Sequence, residues 1–255
     1  MRETWLLARR AVREVYRLPQ ATLPTLFIPL FFLAVNLGQV AKTFNPHSPP
    51  GSTFLFGQNY VAFQLPVSLI FATSTATSGL ALVTDIDRGY VDKLLVTPIQ
   101  RTSIVFGRLA ADFVRGLLAS MLVLALSLAF GARIATGFGG AVVIVLLAAA
   151  WGVAYAGFAI SIALRTKNVQ TTNASFVIFF PLLFLTPNFV PRQLLSGIMP
   201  TLVRYNPVTY VIEGIRVLVL QGWQTGPLLA CVVTIVLTFT VLTGISLRSL
   251  KNFGD

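Results

Sequence analysis

The side chains of this 255-residue chain that could take part in chemistry are few, and one short stretch concentrates them. Only 11% of the residues are charged, whereas 55% are hydrophobic. The segment "DRGYVDKLLVTPIQR", Asp87 to Arg101, nevertheless carries ionisable or polar side chains at seven of its fifteen positions, between two strongly apolar runs. Ion pairing, hydrogen bonding or docking of a partner is the chemistry that such a stretch could perform.

Residues for catalysis or metal binding are scarce elsewhere in the sequence. The single histidine, His47, lies in a Pro/Ser-rich loop, and the single cysteine, Cys231, lies in an apolar run. They provide neither a metal cluster nor an intramolecular disulfide. The sequence contains no G-x-x-x-x-G-K-[ST], H-E-x-x-H or G-x-S-x-G motif. We therefore expect neither enzyme activity nor a metal site nor a bound cofactor in this chain.

The low content of charge predicts that a bilayer surrounds most of the chain. Soluble domains carry roughly 25% charged residues, and a spanning helix needs about 20 mostly apolar residues. The sequence predicts an all-α membrane protein, with one domain over residues 1–255 and six transmembrane helices. These spans are Ala21–Val40, Val61–Val83, Ile104–Phe130, Phe138–Leu164, Ala174–Val190 and Pro227–Leu247.

Lysine and arginine residues are distributed unevenly between the two sides of the predicted bundle. The two termini and the loops on their side hold fourteen basic residues, against five on the other side. Because basic loops favour the cytoplasm, both termini and Asp87–Arg101 are predicted to be cytoplasmic. The net charge of +11 then reflects topology, and we expect no nucleic-acid partner.

Residues 1–20 are predicted to form an amphipathic helix. Trp5, Ala8, Val12 and Tyr16 recur at helical spacing beside a stripe of arginines. Such a helix can lie at the membrane interface among lipid headgroups. The alternative is a solvated helix that only follows the distribution of basic residues.

Residues 84–98 are predicted to form a short helix between spans two and three. Thr84 and Asp87 have the spacing of a capping box. Thr97 precedes Pro98, which disfavours continuation of a helix.

This helix is predicted to have one apolar and one charged face. Ile86, Tyr90 and Leu94 recur every four residues, and Arg88 and Asp92 are spaced for an ion pair on another face. The pattern permits two uses, namely a membrane-surface helix or a docking knob for a cytoplasmic partner.

Residues 191–223 are apolar but interrupted by prolines, which predicts two short helices. Asn206 can cap the second, Pro207 suits its first turn, and Glu213 and Arg216 can pair. Next to a span, such helices can form a re-entrant hairpin where protein or a wet cavity covers the broken backbone.

Two features of the predicted spans each permit two interpretations. Asp112 lies between Arg108 and Arg115 near the start of span three, which favours an ion-pair cluster at headgroup level over a proton relay. In the fifth span, aromatic packing is favoured over a substrate path for a group of four residues: Asn173, Phe176, Phe179 and Phe180. The small residues of "ATSTATSG" in span two indicate close helix packing.

Two motifs resemble the ABC-2-type permeases, the membrane subunits of a class of ATP-binding-cassette exporters. "DRGYVDKLLVTPIQRTSIVFGR" is similar to their E-[KR]-G-T-x-E-x-L-x-x-T-P-x-[RS] stretch, and "NPVTYVIEGIRVLVLQGW" is similar to their N-P-[LV]-T-Y-x-[IV]-[ED]-x-x-R segment. The similarity is greatest to bacterial drug-resistance exporters of the daunorubicin type, and order, spacing and the six-span layout agree over nearly the whole chain.

The resemblance implies that residues 84–98 are a coupling helix that docks into a separate ATPase subunit. Asp87 and Asp92 replace the usual glutamates, and Tyr90 replaces a threonine. The implied coupling residues are Asp87, Arg88, Gly89, Tyr90, Asp92, Leu94, Leu95, Thr97, Pro98 and Arg101. The implied structural residues of the re-entrant hairpin are Asn206, Pro207, Tyr210, Glu213 and Arg216.

The family resemblance also implies partners, location and function. Two permease chains, identical or different, would work with two ATPases that bind ATP and Mg²⁺, in contact with lipids of a bacterial plasma membrane. The expected function is outward export of a hydrophobic or amphipathic substrate such as a drug or lipid. The alternatives are export of a lipid-linked polysaccharide and, with less support, ion-coupled transport or a membrane enzyme.

Overall fold

The computed structural model describes residues 6–10, 12–13, 27–35, 38, 51–74, 77–97 and 100–251. Helices and short connections account for these residues, and no strand occurs among them, so the predicted all-α class is confirmed. We label the helices from residue 51 onward α1 (Gly51–Phe54), α2 (Tyr60–Thr73), α3 (Thr77–Asp87), α4 (Tyr90–Leu95), α5 (Arg101–Ala129), α6 (Gly137–Thr166), α7 (Val169–Phe184), α8 (Met199–Tyr205), α9 (Pro207–Leu220) and α10 (Thr225–Lys251). A 3₁₀ turn, Arg192–Leu194, lies between α7 and α8.

Within the described part of the chain, four helical segments are long and apolar enough to cross a membrane. They are Tyr60–Asp87, which comprises α2 and α3, together with α5, α6 and α10, and they overlap predicted spans two, three, four and six. Half of predicted span one lies outside the described residues, and its residues 27–35 are helical. The chain is a multi-pass membrane protein, and the count of six spans stays a prediction.

Helix α7 coincides with most of predicted span five but ends early, after 16 residues. Its last carbonyls are occupied by a side chain from further along the chain, since Asn206 Nδ2 donates to Leu182 O at 2.5 Å and to Leu185 O at 2.9 Å. The same Asn206 caps α9, because its Oδ1 accepts from Val208 N at 3.0 Å. The predicted cap is confirmed, and one asparagine both ends α7 and begins α9.

Helix α6 lies at the centre of the bundle, in contact with α2, α3, α5, α7, α9 and α10. Small residues permit this approach, as predicted for "ATSTATSG". A Cβ atom at Gly79 would lie 2.7 Å from Thr172 Cγ2 and 2.8 Å from Ala159 O. Trp151 Nε1 also donates to Ser74 Oγ at 2.9 Å, at the end of α2. Packing therefore accounts for Ser74 and Gly79 of this segment.

The bundle has two ends, which we call the α4 end and the α9 end. At the α9 end, Gln58 Nε2 beside the start of α2 donates to Val219 O at 2.8 Å, and Asn59 Nδ2 donates to Phe130 O, just past α5, at 3.3 Å. At the α4 end, Arg165 Nε donates to Ser249 Oγ at 2.9 Å, near the ends of α6 and α10. The long helices connect these two ends.

Helix α9 is buried among α2, α6 and α10, and its charged residues do not pair as predicted. Within the described ranges, no ion pair joins Glu213 to Arg216. Glu213 lies 3.8 Å from Arg192 instead, while the Arg216 guanidinium stacks on Phe63 with 3.8 Å between Cζ and the ring centroid. The predicted pairing is wrong, because packing against α2 places the Arg216 guanidinium on the Phe63 ring.

Candidate functional site

The polypeptide at the α4 end turns sharply at Gly89. Helix α3 continues through Thr84 to Asp87, and Gly89 then adopts φ +64° before α4 starts at Tyr90. Glycine adopts this left-handed conformation without steric cost. The predicted single helix over 84–98 is therefore wrong, since the stretch comprises the end of α3, a turn at Gly89, and α4.

The predicted capping box at Thr84 is also wrong. Thr84 Oγ1 donates to Leu80 O at 3.1 Å, in the interior of α3. Its neighbours Leu82 and Val83 are fully buried in the bundle. Burial of these apolar side chains extends α3 past the position where the local motif would begin a helix.

One side of α4 is anchored to the bundle and the other is exposed. Val91 is buried and Leu94 packs against the same apolar cluster. The predicted Arg88–Asp92 ion pair is not formed among the described residues, because the two residues lie on opposite sides of the Gly89 turn. The exposed surface, which we call the α4 surface, consists of Asp87, Arg88, Asp92, Lys93 and Val96.

Of the remaining predicted coupling residues, Thr97 lies next to this surface. Thr97 is exposed, and its hydroxyl donates to Leu94 O at 2.6 Å, in the turn that ends α4. Helix α4 ends with Leu95, and α5 begins at Arg101. Pro98 lies outside the described residues.

A buried carboxylate beneath α4 joins three segments of the chain, and we call this group the Asp85 cluster. Asp85, in α3, accepts from Arg10 Nη2 at 3.0 Å and from Arg108 of α5. Arg108 Nη2 donates in addition to Ala81 O at 3.4 Å. The side chains of Asp85 and Arg108 are each 9% exposed, so both charges are largely removed from solvent.

The N-terminal segment contacts this cluster through a second interaction. The Arg10 guanidinium lies 3.8 Å from the centroid of the Tyr90 ring. Tyr90 provides an aromatic face for this cation. Arg10 thereby connects the helical residues 6–10 to both α3 and α4. Of the predicted interfacial helix, Trp5 and Tyr16 lie outside the described residues.

Asp85 and Arg10 are site residues that local sequence motifs do not identify. Arg108 is the sequence signal for Asp85, because an arginine within a predicted apolar span needs a carboxylate at the same depth. The predicted cluster further along α5 is confirmed in part. Arg115 Nη1 lies 2.5 Å from Asp112 Oδ1 and donates to Thr77 Oγ1, whereas Arg108 pairs with Asp85 instead.

The aromatic residues predicted in span five surround one ring of α2. The centroid of Phe71 lies 5.9 Å from that of Phe176, 6.3 Å from that of Phe179 and 5.3 Å from that of Phe180. Asn173 is exposed on α7. The structure thus brings the three phenylalanines together in packing and leaves Asn173 apart from them.

An apolar groove of about 400 Å³ opens on the side of the bundle between α6, α7 and α10. Trp151, Tyr155 and Phe158 of α6 line one wall, and Leu237 and Val241 of α10 line the opposite wall. An open apolar groove of this size can accept a hydrophobic part of a small molecule or a lipid chain.

Comparison with known proteins identifies relatives across most of the chain. A sequence model described as ABC-2 type transporter matches residues 2–220. The daunorubicin resistance ABC transporter permease protein DrrB1 of Streptomyces coeruleorubidus is 28% identical over 206 residues, covering 75% of this chain and 72% of that protein. The putative transport permease ycf38 of Porphyra purpurea is 24% identical over 220 residues, covering 85% and 73%. The probable doxorubicin resistance ABC transporter permease protein DrrC of Mycobacterium tuberculosis is 23% identical over 171 residues, covering 66% and 62%.

Proposed function

Because the chain belongs to the ABC-2 type transporter family, we propose that it is the permease subunit of an ATP-driven exporter. A separate cytoplasmic ATPase subunit binds ATP and Mg²⁺ and docks on the α4 surface. The permease itself carries no nucleotide site, and it moves a hydrophobic or amphipathic substrate outward. The assembly contains two permease chains, identical or different, and two ATPases.

The α4 surface on top of the Asp85 cluster is the observation that carries this proposal. A docked ATPase would contact the exposed charges of Asp87, Asp92 and Lys93, while Val91 holds α4 to the bundle. Movement of α4 would reach α3 and α5, because Asp85 and Arg108 join these two helices beneath it. Separating two buried, hydrogen-bonded charges is costly. A displacement of α4 should therefore move α3 and α5 together.

The shorter aspartates are compatible with such docking. Asp87 and Asp92 replace glutamates of the related permeases, and both are exposed in positions that a partner can approach. Each aspartate side chain is one methylene shorter than that of glutamate. The turn at Gly89 and the Arg10–Tyr90 stack hold the start of α4 in place. An ATPase groove would contact the shorter side chains by lying closer to α4.

The orientation follows from the distribution of basic residues. The α4 end holds the stretch around Arg88 and Lys93, together with Arg165 and Arg248. This bias favours the cytoplasm for the α4 end and the outside for the α9 end. Both termini are then cytoplasmic, in a bacterial plasma membrane.

The apolar groove between α6, α7 and α10 supports a hydrophobic or amphipathic substrate. The names of two relatives refer to daunorubicin and doxorubicin resistance, which is consistent with such a substrate class. Export of a lipid-linked polysaccharide is the second candidate within the same family.

The docking proposal is tested by charge reversal on the α4 surface. The chain is purified together with its cognate ATPase subunit, and copurification and substrate-stimulated ATP hydrolysis are measured. Asp92→Arg should abolish or strongly reduce both, because it reverses an exposed charge at the centre of the contact, and Leu94→Asp should do the same by disrupting the packing of α4. Arg248→Glu, an exposed charge reversal at the same end but outside α4, serves as the control. Wild-type assembly and turnover in both α4 variants would refute the docking site.

A further inference from the structure

A cavity of about 610 Å³ lies at the α9 end, far from the α4 surface. Its walls come from the residues before α2, from the 3₁₀ turn, from α9 and from the start of α10. Small-molecule sites generally measure about 300–1,000 Å³, so the cavity is large enough for a ligand headgroup with part of a chain.

Arg216 of α9 lines this cavity with unused hydrogen-bonding capacity. The residue is 8% exposed. Its Nε donates to Phe63 O at 3.3 Å, and its Nη2 is buried with no hydrogen-bond partner among the described residues. A guanidinium has five N–H donors, and a buried donor without a partner costs about 1–3 kcal/mol. An acceptor supplied from outside the chain would remove this cost.

The neighbouring charges leave the cavity with a positive balance. The charged residues that line it are Arg192, Glu213 and Arg216, two positive and one negative. Glu213 lies 3.8 Å from Arg192, so its charge is largely offset by that residue. Burial lowers the pKa of Arg216 to about 10, and the guanidinium therefore stays charged at neutral pH.

The rest of the lining is suited to an amphiphile. Phe54, Phe56 and Phe63 provide apolar rings, and Gln193 and Gln221 provide amide donors and acceptors. A small anion alone would leave the aromatic wall unused, whereas a purely apolar ligand would leave Arg216 without an acceptor.

We infer that this cavity binds the anionic headgroup of an amphiphile, with Arg216 as its charged anchor. The ligand class is a phosphate, sulfate or carboxylate that carries an apolar chain, supplied as a membrane lipid or as a soluble acidic amphiphile. The guanidinium donates to the anion, the glutamine amides complete the polar contacts, and the phenylalanines hold the first part of the chain. The inference does not depend on the proposed export function, since it concerns equilibrium binding by the permease chain alone.

The test is a binding titration of the purified full chain in dodecyl maltoside, with dodecyl phosphate as the probe. Isothermal calorimetry at neutral pH should show binding of dodecyl phosphate, no binding of dodecyl trimethylammonium, and only weak binding of inorganic phosphate. Arg216→Gln should weaken binding of dodecyl phosphate by about tenfold or more, because a charge-assisted hydrogen bond is lost. Arg204→Gln, an exposed arginine of α8 that does not line the cavity, should leave the affinity unchanged.

A variant that is expected to bind more tightly distinguishes a specific effect on the site from misfolding. Glu213→Gln removes the single negative charge among the described residues of the lining, so it should strengthen binding of dodecyl phosphate. A misfolded protein would not show such a gain. Equal affinities for the wild type, Arg216→Gln and Glu213→Gln would overturn the inference, and so would equal binding of the cationic and anionic probes.

The source of the ligand is distinguished by a second measurement. Native mass spectrometry of the chain released from vesicles of equal phosphatidylglycerol and phosphatidylcholine reports which lipid is retained. Retention of phosphatidylglycerol that is lost in Arg216→Gln indicates a membrane lipid. Binding of dodecyl phosphate without retention of phosphatidylglycerol indicates a soluble amphiphile. Absence of both is inconsistent with the site.

Discussion

The two ends of the bundle each bury an arginine, but they satisfy it differently. At the α4 end, Arg108 donates to the carboxylate of Asp85 and to Ala81 O. At the α9 end, Arg216 has one hydrogen bond, to a backbone carbonyl, and no carboxylate within ion-pair distance among the described residues. The first arginine is bound to the protein itself and serves to join helices. The second retains capacity for a group that the described residues do not supply.

The largest change in stability is expected at the α4 end, where the buried Arg108 is paired with the carboxylate of Asp85. Asp85→Asn should destabilise the protein by about 3–5 kcal/mol, because it removes the buried carboxylate that both Arg10 and Arg108 bind. Chemical unfolding of the detergent-solubilised protein, followed by tryptophan fluorescence, measures this loss. Asp87→Asn, at an exposed position on the same helix, is the control and should change stability by less than about 0.5 kcal/mol. Similar losses in the two variants would contradict a structural role for Asp85.

A smaller effect is expected at the outer edge of the Asp85 cluster. Arg10→Gln should cost roughly 1 kcal/mol, since the Arg10 side chain is 39% exposed and solvent already screens its ion pair. The loss of its contact with the Tyr90 ring contributes to this cost. The same unfolding measurement applies, and Arg13→Gln on the same segment is a matched control. A loss as large as that of Asp85→Asn would show that the cluster depends on Arg10 and not on Arg108.

The arginine at the α9 end should matter little for stability. Arg216→Met keeps an unbranched chain of similar length. It loses the bond to Phe63 O and the contact with the Phe63 ring, but it also removes the Nη2 donor that has no partner among the described residues, so the stability should change by less than about 1 kcal/mol in either direction. Unfolding of this variant is compared directly with that of Asp85→Asn. A loss of several kcal/mol would remove the difference between the two ends, because Arg216 would then be as fully engaged as Arg108.

The smallest effect is a pH dependence at the α9 end. Burial raises the pKa of Glu213, while the nearby charges of Arg192 and Arg216 lower it; the remaining titratable group near Arg216 is Tyr60. Because the pKa of Glu213 is raised in the folded state, its contribution to the free energy of unfolding is fully present below the ordinary carboxylate pKa. This contribution is lost as pH rises through the raised value.

Thermal unfolding at several pH values tests this expectation. The neutral Glu213→Gln variant lacks the titration, so the midpoint of the wild type should fall relative to that of the variant as pH rises from about 4 to 7. Asp92→Asn on the exposed α4 surface provides a control for general charge effects. Parallel profiles of the wild type and Glu213→Gln would show that burial of Glu213 does not couple to folding.

Local sequence patterns predicted helices well but predicted charge partners poorly. Asn206 was identified as a cap because a cap depends on residues two or three positions away. Glu213 and Arg216 have an equally suitable spacing, yet they do not pair, because Arg192 and Phe63 come from distant segments. The Thr84 capping box failed for the same reason, since burial of Leu82 and Val83 outweighs a motif worth about 1 kcal/mol.

The amino-acid sequence by itself determined that this is a helical membrane protein with a short charged segment between two apolar runs. That information is present in composition and in hydrophobic periodicity, which act over one helix at a time. The three-dimensional packing was needed to show that Asp85 joins α3 to α5 beneath α4, that the chain turns at Gly89, and that Arg216 lines a cavity with its Nη2 unpaired among the described residues. These features depend on which distant side chains share a buried volume, and burial makes an unpaired charge or donor costly.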